Sequence, residues 1–184
     1  GGWLADLTPF LKDPTLTEPS LVESDFAEAG LAFAKDKNGR FGGLPFSVDY
    51  WILYWNKELF AAKGIEYPKS FDELVSAAEK LTDASKGTYG FVARGMKNAN
   101  TPVWASLMLG YGKSTIDDGN LQTDTPEAIQ AATLYQRLMT KSAPPGVTGF
   151  NWAECQSNFL QGKVAMWLDG IGFAPPLENP EKSP

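Results

Sequence analysis

The 184-residue chain contains no histidine, only one cysteine and no apolar run of the length that a membrane-spanning helix requires. Without histidine the commonest general base and the commonest transition-metal ligand are gone, so Ser-His-Asp chemistry and zinc sites are poor expectations, and no metal or cofactor is expected. Cys155 has no second cysteine with which to close an internal disulfide. Apolar stretches all stop short of the roughly 20 residues that span a bilayer. Basic residues are also in deficit: 16 Lys and Arg against 22 Asp and Glu leave a formal charge of -6. Such a surface repels a phosphate backbone, which excludes nucleic acid as an expected partner. What is present is 43% hydrophobic and 12% aromatic residues, the composition of a folded globular chain. The start at Gly1-Gly2-Trp3-Leu4, with no Met and no signal-peptide pattern, reads as the interior of a longer protein.

Along the chain, residues 3–20 are rich in Pro and Thr and are expected to be irregular. Ser24 or Asp25 is placed to cap a short helix carrying Phe26, Ala29 and Phe33, and Lys35 to Gly39 make a turn. Residues 44–55 are β-branched and aromatic, and become apolar on both alternating faces from Tyr50 onward, the pattern of a strand covered on both sides. Asn56 caps a two-turn helix that Gly64 ends, and Ser70-Phe-Asp-Glu73 is a capping box before the stripe Phe71, Leu74, Val75, Ala78 and Leu81. Thr88 to Ala93 and Lys163 to Leu168 read as strands. Thr101-Pro102 and Thr125-Pro126 each place a hydroxyl before Pro at a helix start, with helices running to about Leu109 and Met139. Asn151-Trp-Ala-Glu154 repeats the capping pattern with Gly162 as the stop, and the Pro-rich end from Pro175 reads as a loop. Strands separated by helices indicate an α/β protein.

Three stretches in this order resemble the extracellular solute-binding proteins of ABC importers, in the sugar-binding family that includes the maltose-binding protein. They are Gly43 to Phe60 with the following Pro68-Lys-Ser-Phe-Asp-Glu-Leu74, the helix from Trp104 to Gly112 that ends in Gly-Tyr-Gly, and Phe159-Leu-Gln-Gly-Lys-Val-Ala-Met-Trp-Leu-Asp-Gly170. The resemblance implies a type II periplasmic-binding-protein-like α/β fold, with residues 1–47 as the late part of lobe 1, 48–56 as the strand crossing between lobes, and 57–184 as most of lobe 2. It further implies reversible binding of a sugar or sugar alcohol, delivery to an inner-membrane permease, and a periplasmic or lipid-anchored extracellular location. Gly172 stands where many sugar binders carry a stacking aromatic, which points to monosaccharides or polyols rather than a disaccharide. A middle fragment of such a protein is expected to bind sugar weakly by itself, to hold residues 1–47 loosely, and to be prone to self-association.

A polyol offers hydroxyls and a C–H face, so its site needs carboxylates or amides beside flat aromatic rings. Asp49, Asn100, Thr101, Asn151, Glu154, Asp169 and Gly170 are the polar candidates at element ends and turns; Trp51, Trp104 and Trp152 are the candidate platforms. Two other classes remain open on the residues alone. Asp49, Glu154 and Asp169 could supply the pair of carboxylates that a glycoside hydrolase sets about 5 to 9 Å apart, and exposed Trp and Tyr could serve a protein-binding module. Asp49 is the sharpest candidate, because a charge beside an otherwise apolar strand needs an opening or a partner. Asp49→Asn keeps the shape and removes the charge, so ligand affinity of the two-lobed protein should fall roughly 10-fold to 100-fold with little change in melting temperature; unchanged affinity in calorimetry would return Asp49 to a structural role.

Overall fold

Trp51–Trp55 forms the strand β1 and pairs antiparallel with a strand far along the chain, Met166–Gly170, in the register Trp51 with Gly170, Leu53 with Leu168 and Trp55 with Met166. The computed structural model describes residues 3–47 and 49–179. The strand predicted over 44–55 is therefore shorter than its apolar pattern: residues 44–47 and 49–50 are without regular structure, and Val48, at the expected lobe crossing, lies outside the described residues. Pairing begins only at Trp51, where the partner strand is present to accept it.

Around this pair the helices follow their caps. Asn56 accepts from the Leu59 N–H and opens Lys57–Lys63 (α3 in chain order), which ends at Gly64 with φ 63°. Ser70 accepts from the Glu73 N–H and opens Phe71–Leu81 (α4), although Glu73 reaches one residue further back than a reciprocal box requires, to the Lys69 N–H at 2.7 Å. Thr125 caps Pro126–Lys141 (α6) through the Ala128 N–H. Asn151 and Glu154 make the complete reciprocal box at the start of Trp152–Leu160 (α7). Thr101 departs from expectation. It is the first helical residue of Thr101–Gly110 (α5), and Asn100 takes the cap position without a side-chain bond, so Pro102 is the second residue of the helix.

The early segment also differs. Residues 8–12 form a short helix (α1, Thr8–Lys12) where none was expected, and the next, Glu28–Ala34 (α2), starts after Ser24 and Asp25, which instead lie in a single 3-10 turn. The Lys35–Gly39 turn is tied by Asp36, whose carboxylate accepts from Asn38 N–H and from Arg40 N–H and Nε. A hairpin at Ile116–Asp117 (β2) and Asn120–Leu121 (β3) turns on Asp118 and Gly119, both with positive φ, the requirement of a two-residue type I′ turn. The C-terminal Pro-rich stretch winds one more turn, Ala174–Leu177 (α8), beyond β4, the Met166–Gly170 strand.

Thr88 to Ala93 is extended, but it joins β4's side of the sheet only through isolated parallel bridges, Tyr89 to Val164 and Val92 to Trp167. Its ladder bonds alternate with a bond from Phe91 N–H to the Ser142 carbonyl. Gly90 explains why the segment can lie so close to α4: a Cβ there would stand 1.8 Å from the Ala78 carbonyl oxygen.

The described residues fall into two compact units that divide between Asp49 and Tyr50. In the second, Phe60, Leu74, Ala78, Phe91, Val103, Met108, Ala131, Leu138 and Met166 form one core. Val92, Val147, Cys155, Phe159, Val164 and Trp167 form another. Burial pushes the Cys155 thiol up to about 12, so it remains protonated and inert in that core. In the first unit Phe41 is the one buried hydrophobic side chain among the described residues, while Trp3 and Phe33 are almost fully exposed.

Gly90→Ala should be among the most damaging small substitutions in the chain, because backbone must move to admit the methyl group. A loss of about 3 kcal/mol or more in denaturant unfolding is expected; a loss under about 1 kcal/mol would mean that α4 and the 88–93 segment can separate without cost.

Candidate functional site

At the C-terminal end of β4, Asp169 carries a side chain with no solvent exposure. A carboxylate so placed must be paired, since leaving it alone in an apolar interior costs several kcal/mol. Its partner is Arg94, the first residue past the Thr88 to Ala93 stretch. Arg94 donates from Nε to Oδ2 at 3.0 Å and from Nη2 to Oδ1 at 2.5 Å, a two-pronged match. The Trp167 indole N–H and the Gly170 backbone N–H complete the shell, at 3.2 and 2.8 Å.

The guanidinium packs on two aromatic rings. Its Cζ lies 5.1 Å from the Trp51 ring centroid and 5.8 Å from that of Phe173. Phe173 in turn stacks on Trp152, with centroids 5.3 Å apart and planes inclined by 20°, and touches Trp167 at 5.4 Å. Four elements thus meet at one point: β1 supplies Trp51, the 88–94 segment supplies Arg94, the first turn of α7 supplies Trp152, and the turn after β4 supplies Phe173. The backbone beneath is braced as well. The Tyr135 hydroxyl donates to the Arg94 carbonyl at 2.8 Å, burial raising its pKa so that it keeps the proton. Gly95 and Met96 both donate to the Phe150 carbonyl, and a Cβ at Gly95 would meet the Val147 carbonyl oxygen at 2.1 Å.

Of the residues picked out in the sequence, Trp51, Trp152, Asp169 and Gly170 are gathered here. Asp169 does not sit at an open turn as expected: its oxygens are occupied by Arg94, Trp167 and Gly170, and it acts on the surface only through the arginine. Gly170 is buried and its carbonyl accepts from the Tyr54 hydroxyl. Asn151 and Glu154 lie next to Trp152 but are committed to capping α7. Asn100 lies beside the Tyr135 hydroxyl. Trp104 packs against the larger core with its indole N–H on the Ala128 carbonyl, and Thr101 is an exposed first-turn residue of α5. Asp49 is exposed in the first unit, where it lines a cavity of about 930 Å³ together with Asp6, Phe33, Arg40 and Gly43. Arg94 and Phe173 were missed. The signal for Arg94 was a lone cation directly after a predicted strand whose neighbour, Lys163 to Leu168, ends on a lone carboxylate. Phe173 supplies, one residue late, the aromatic ring that Gly172 lacks.

Residues 1–183 match the family described as bacterial extracellular solute-binding proteins. The chain belongs to that family. A binding protein of Brucella abortus is 33% identical over 145 residues, which is 77% of this chain and 34% of the Brucella protein. A solute-binding protein of Agrobacterium radiobacter in complex with ribitol is 33% identical with a TM-score of 0.85, covering 99% of this chain and 45% of that one. A third, from Agrobacterium vitis with bound D-mannitol, is 26% identical with a TM-score of 0.73 over 99% of this chain and 43% of its own. The chain therefore spans about a third of the curated relative and under half of the solved structures. The fold is that of type II periplasmic binding proteins, the class to which these solute-binding proteins belong.

Trp152 is 42% exposed although it is stacked on Phe173, so the residue is accessible from solvent. Trp152→Ala should weaken solute binding about 10-fold and lower stability by about 1 kcal/mol, the worth of an aromatic pair. A loss of several kcal/mol in thermal melts with unchanged binding would make Trp152 a core residue.

Proposed function

We propose that this solute-binding protein captures a sugar alcohol or a small sugar for an ABC importer and releases it to the inner-membrane permease. The observation that carries the reading is the cluster around Arg94: the exposed Trp152 stacks on Phe173, and the Phe173 ring in turn packs against the guanidinium, a combination that suits the C–H face and hydroxyls of a polyol. The ribitol and D-mannitol complexes of the two Agrobacterium proteins support the same ligand class. The work is binding rather than bond cleavage. Glu154 is tied to the Asn151 N–H and Asp169 to Arg94, so neither carboxylate stands ready as an acid or nucleophile.

In this reading residues 1–47 are the late part of one lobe, 48–56 the crossing strand and 57–184 most of the other. The division of the described residues between Asp49 and Tyr50 and the partial coverage of the relatives support it. Lobe closure about the crossing would sequester the ligand and present the loaded shape to the permease outside the inner membrane.

Calorimetric titration of the full-length protein with ribitol, D-mannitol, erythritol and maltose tests the assignment. Binding of at least one acyclic polyol more tightly than maltose is expected. Heat with amino acids or peptides alone, and none with any polyol or sugar, would overturn it.

A further inference from the structure

Arginine carries five N–H donors in a rigid plane, and the Asp169 carboxylate takes only the Nε edge and one Nη2 hydrogen. Nη1 donates to nothing among the described residues. It is not sealed either, because the Arg94 side chain keeps 19% of its surface exposed and, among the described residues, the one buried side-chain polar atom without a partner is Ser142 Oγ. The group is not free to swing away to a partner elsewhere: it packs on the Trp51 and Phe173 rings, and the carboxylate fork fixes its rotation. An oriented, unspent donor pair thus belongs to a guanidinium that packs on Phe173, the ring on which the exposed Trp152 stacks.

The charge at that place is cancelled. Asp169 is completely buried, so water does not screen its attraction for the cation as it would at the surface. Cys155 beneath feels both members of the pair, Asp169 raising its pKa and Arg94 lowering it. An anionic ligand approaching Nη1 would meet a neutral pair, not an open cation.

We propose that Arg94 is a ligand-contacting, specificity-determining residue, whose Nη1 edge donates to a ligand hydroxyl while Asp169 neutralises its charge, so that the site admits neutral polyhydroxyl compounds and refuses their phosphate esters. This rests on the polyol reading above and adds to it the exclusion of anions and the pair of residues that enforces it. Asp169 is a positioning residue: it acts through Arg94 and not on the ligand.

The test is calorimetry with two probes, D-mannitol and D-mannitol 1-phosphate, on the full-length protein and three variants. The parent should prefer mannitol by at least about 10-fold. Asp169→Asn leaves the cation uncompensated, so the preference should shrink by about 10-fold or reverse. Arg94→Lys keeps the charge but loses the fixed second edge, so mannitol affinity should fall about 10-fold. Should either single variant fail to fold, the double variant Arg94→Gln with Asp169→Asn keeps a neutral amide pair in the same place; it should lose mannitol affinity about 10-fold and gain none for the phosphate ester. A parent that binds the ester as tightly as mannitol, an Asp169→Asn protein with unchanged selectivity, or a double variant with parental mannitol affinity each overturns the inference while leaving polyol binding intact. Failure of the parent to bind any polyol or sugar overturns the proposed function itself, and this inference with it.

Discussion

A single buried carboxylate constrains the second unit more than any apolar contact does. Asp169 lies at the end of β4 with no access to water, and its charge is tolerable only while Arg94, the Trp167 indole and the Gly170 amide surround it. Removing one member of a buried pair of this kind typically costs about 3 to 5 kcal/mol, whereas the pair itself contributes little net stability. Its effect is therefore on geometry. Arg94 must be next to β4, which requires the 88–94 segment to run parallel to it. That segment can run there only because Gly90 allows contact with α4, and Gly95 with the 147–150 turn.

The aromatic cluster inherits its shape from this pairing. Trp51 on one strand and Phe173 after the other are both brought against one guanidinium, and the register of β1 against β4 puts Trp51 opposite Gly170 with no side chain in the way. Helix α7 adds Trp152 through its cap, since the reciprocal bonds of Asn151 and Glu154 fix the first turn from which that ring projects. Residues chosen for local helix geometry thus orient a ring for a different purpose.

The two units differ in how they are held. The second surrounds β1 and β4 with capped helices and two apolar clusters, and it closes on itself as an ordinary small core. The first has fewer than 50 residues and one buried hydrophobic side chain among those described, and relies on turn chemistry such as the Asp36 bonds and the Thr8 hydroxyl accepting from the Phe41 N–H. So short a chain has too little interior for the hydrophobic effect to dominate.

What was legible in the sequence was local. Asn56, Ser70, Thr125 and Asn151 each announced a helix, because a cap bonds to an amide two or three residues away and needs nothing else. The order of strands and helices, together with three motifs, was enough to indicate an α/β solute-binding protein. The Asp118-Gly119 hairpin was legible too and was overlooked, and Thr101 was misread because a Pro can occupy the second helical position as well as the first. Strand limits were not legible: residues 44–47 and 49–50 have strand composition, yet the ladder of β1 opens only at Trp51. The partner of Asp169 lies 75 residues earlier, so no window along the chain could join them. In the sequence Asp169 stood only as one polar candidate among several at element ends and turns. Only the tertiary structure decided that its charge is spent on Arg94, and that the arginine, packed against rings from both ends of the chain's second unit, keeps part of its surface exposed. Caps are settled by neighbours in sequence; a buried charge is settled by whatever the fold brings within hydrogen-bond distance.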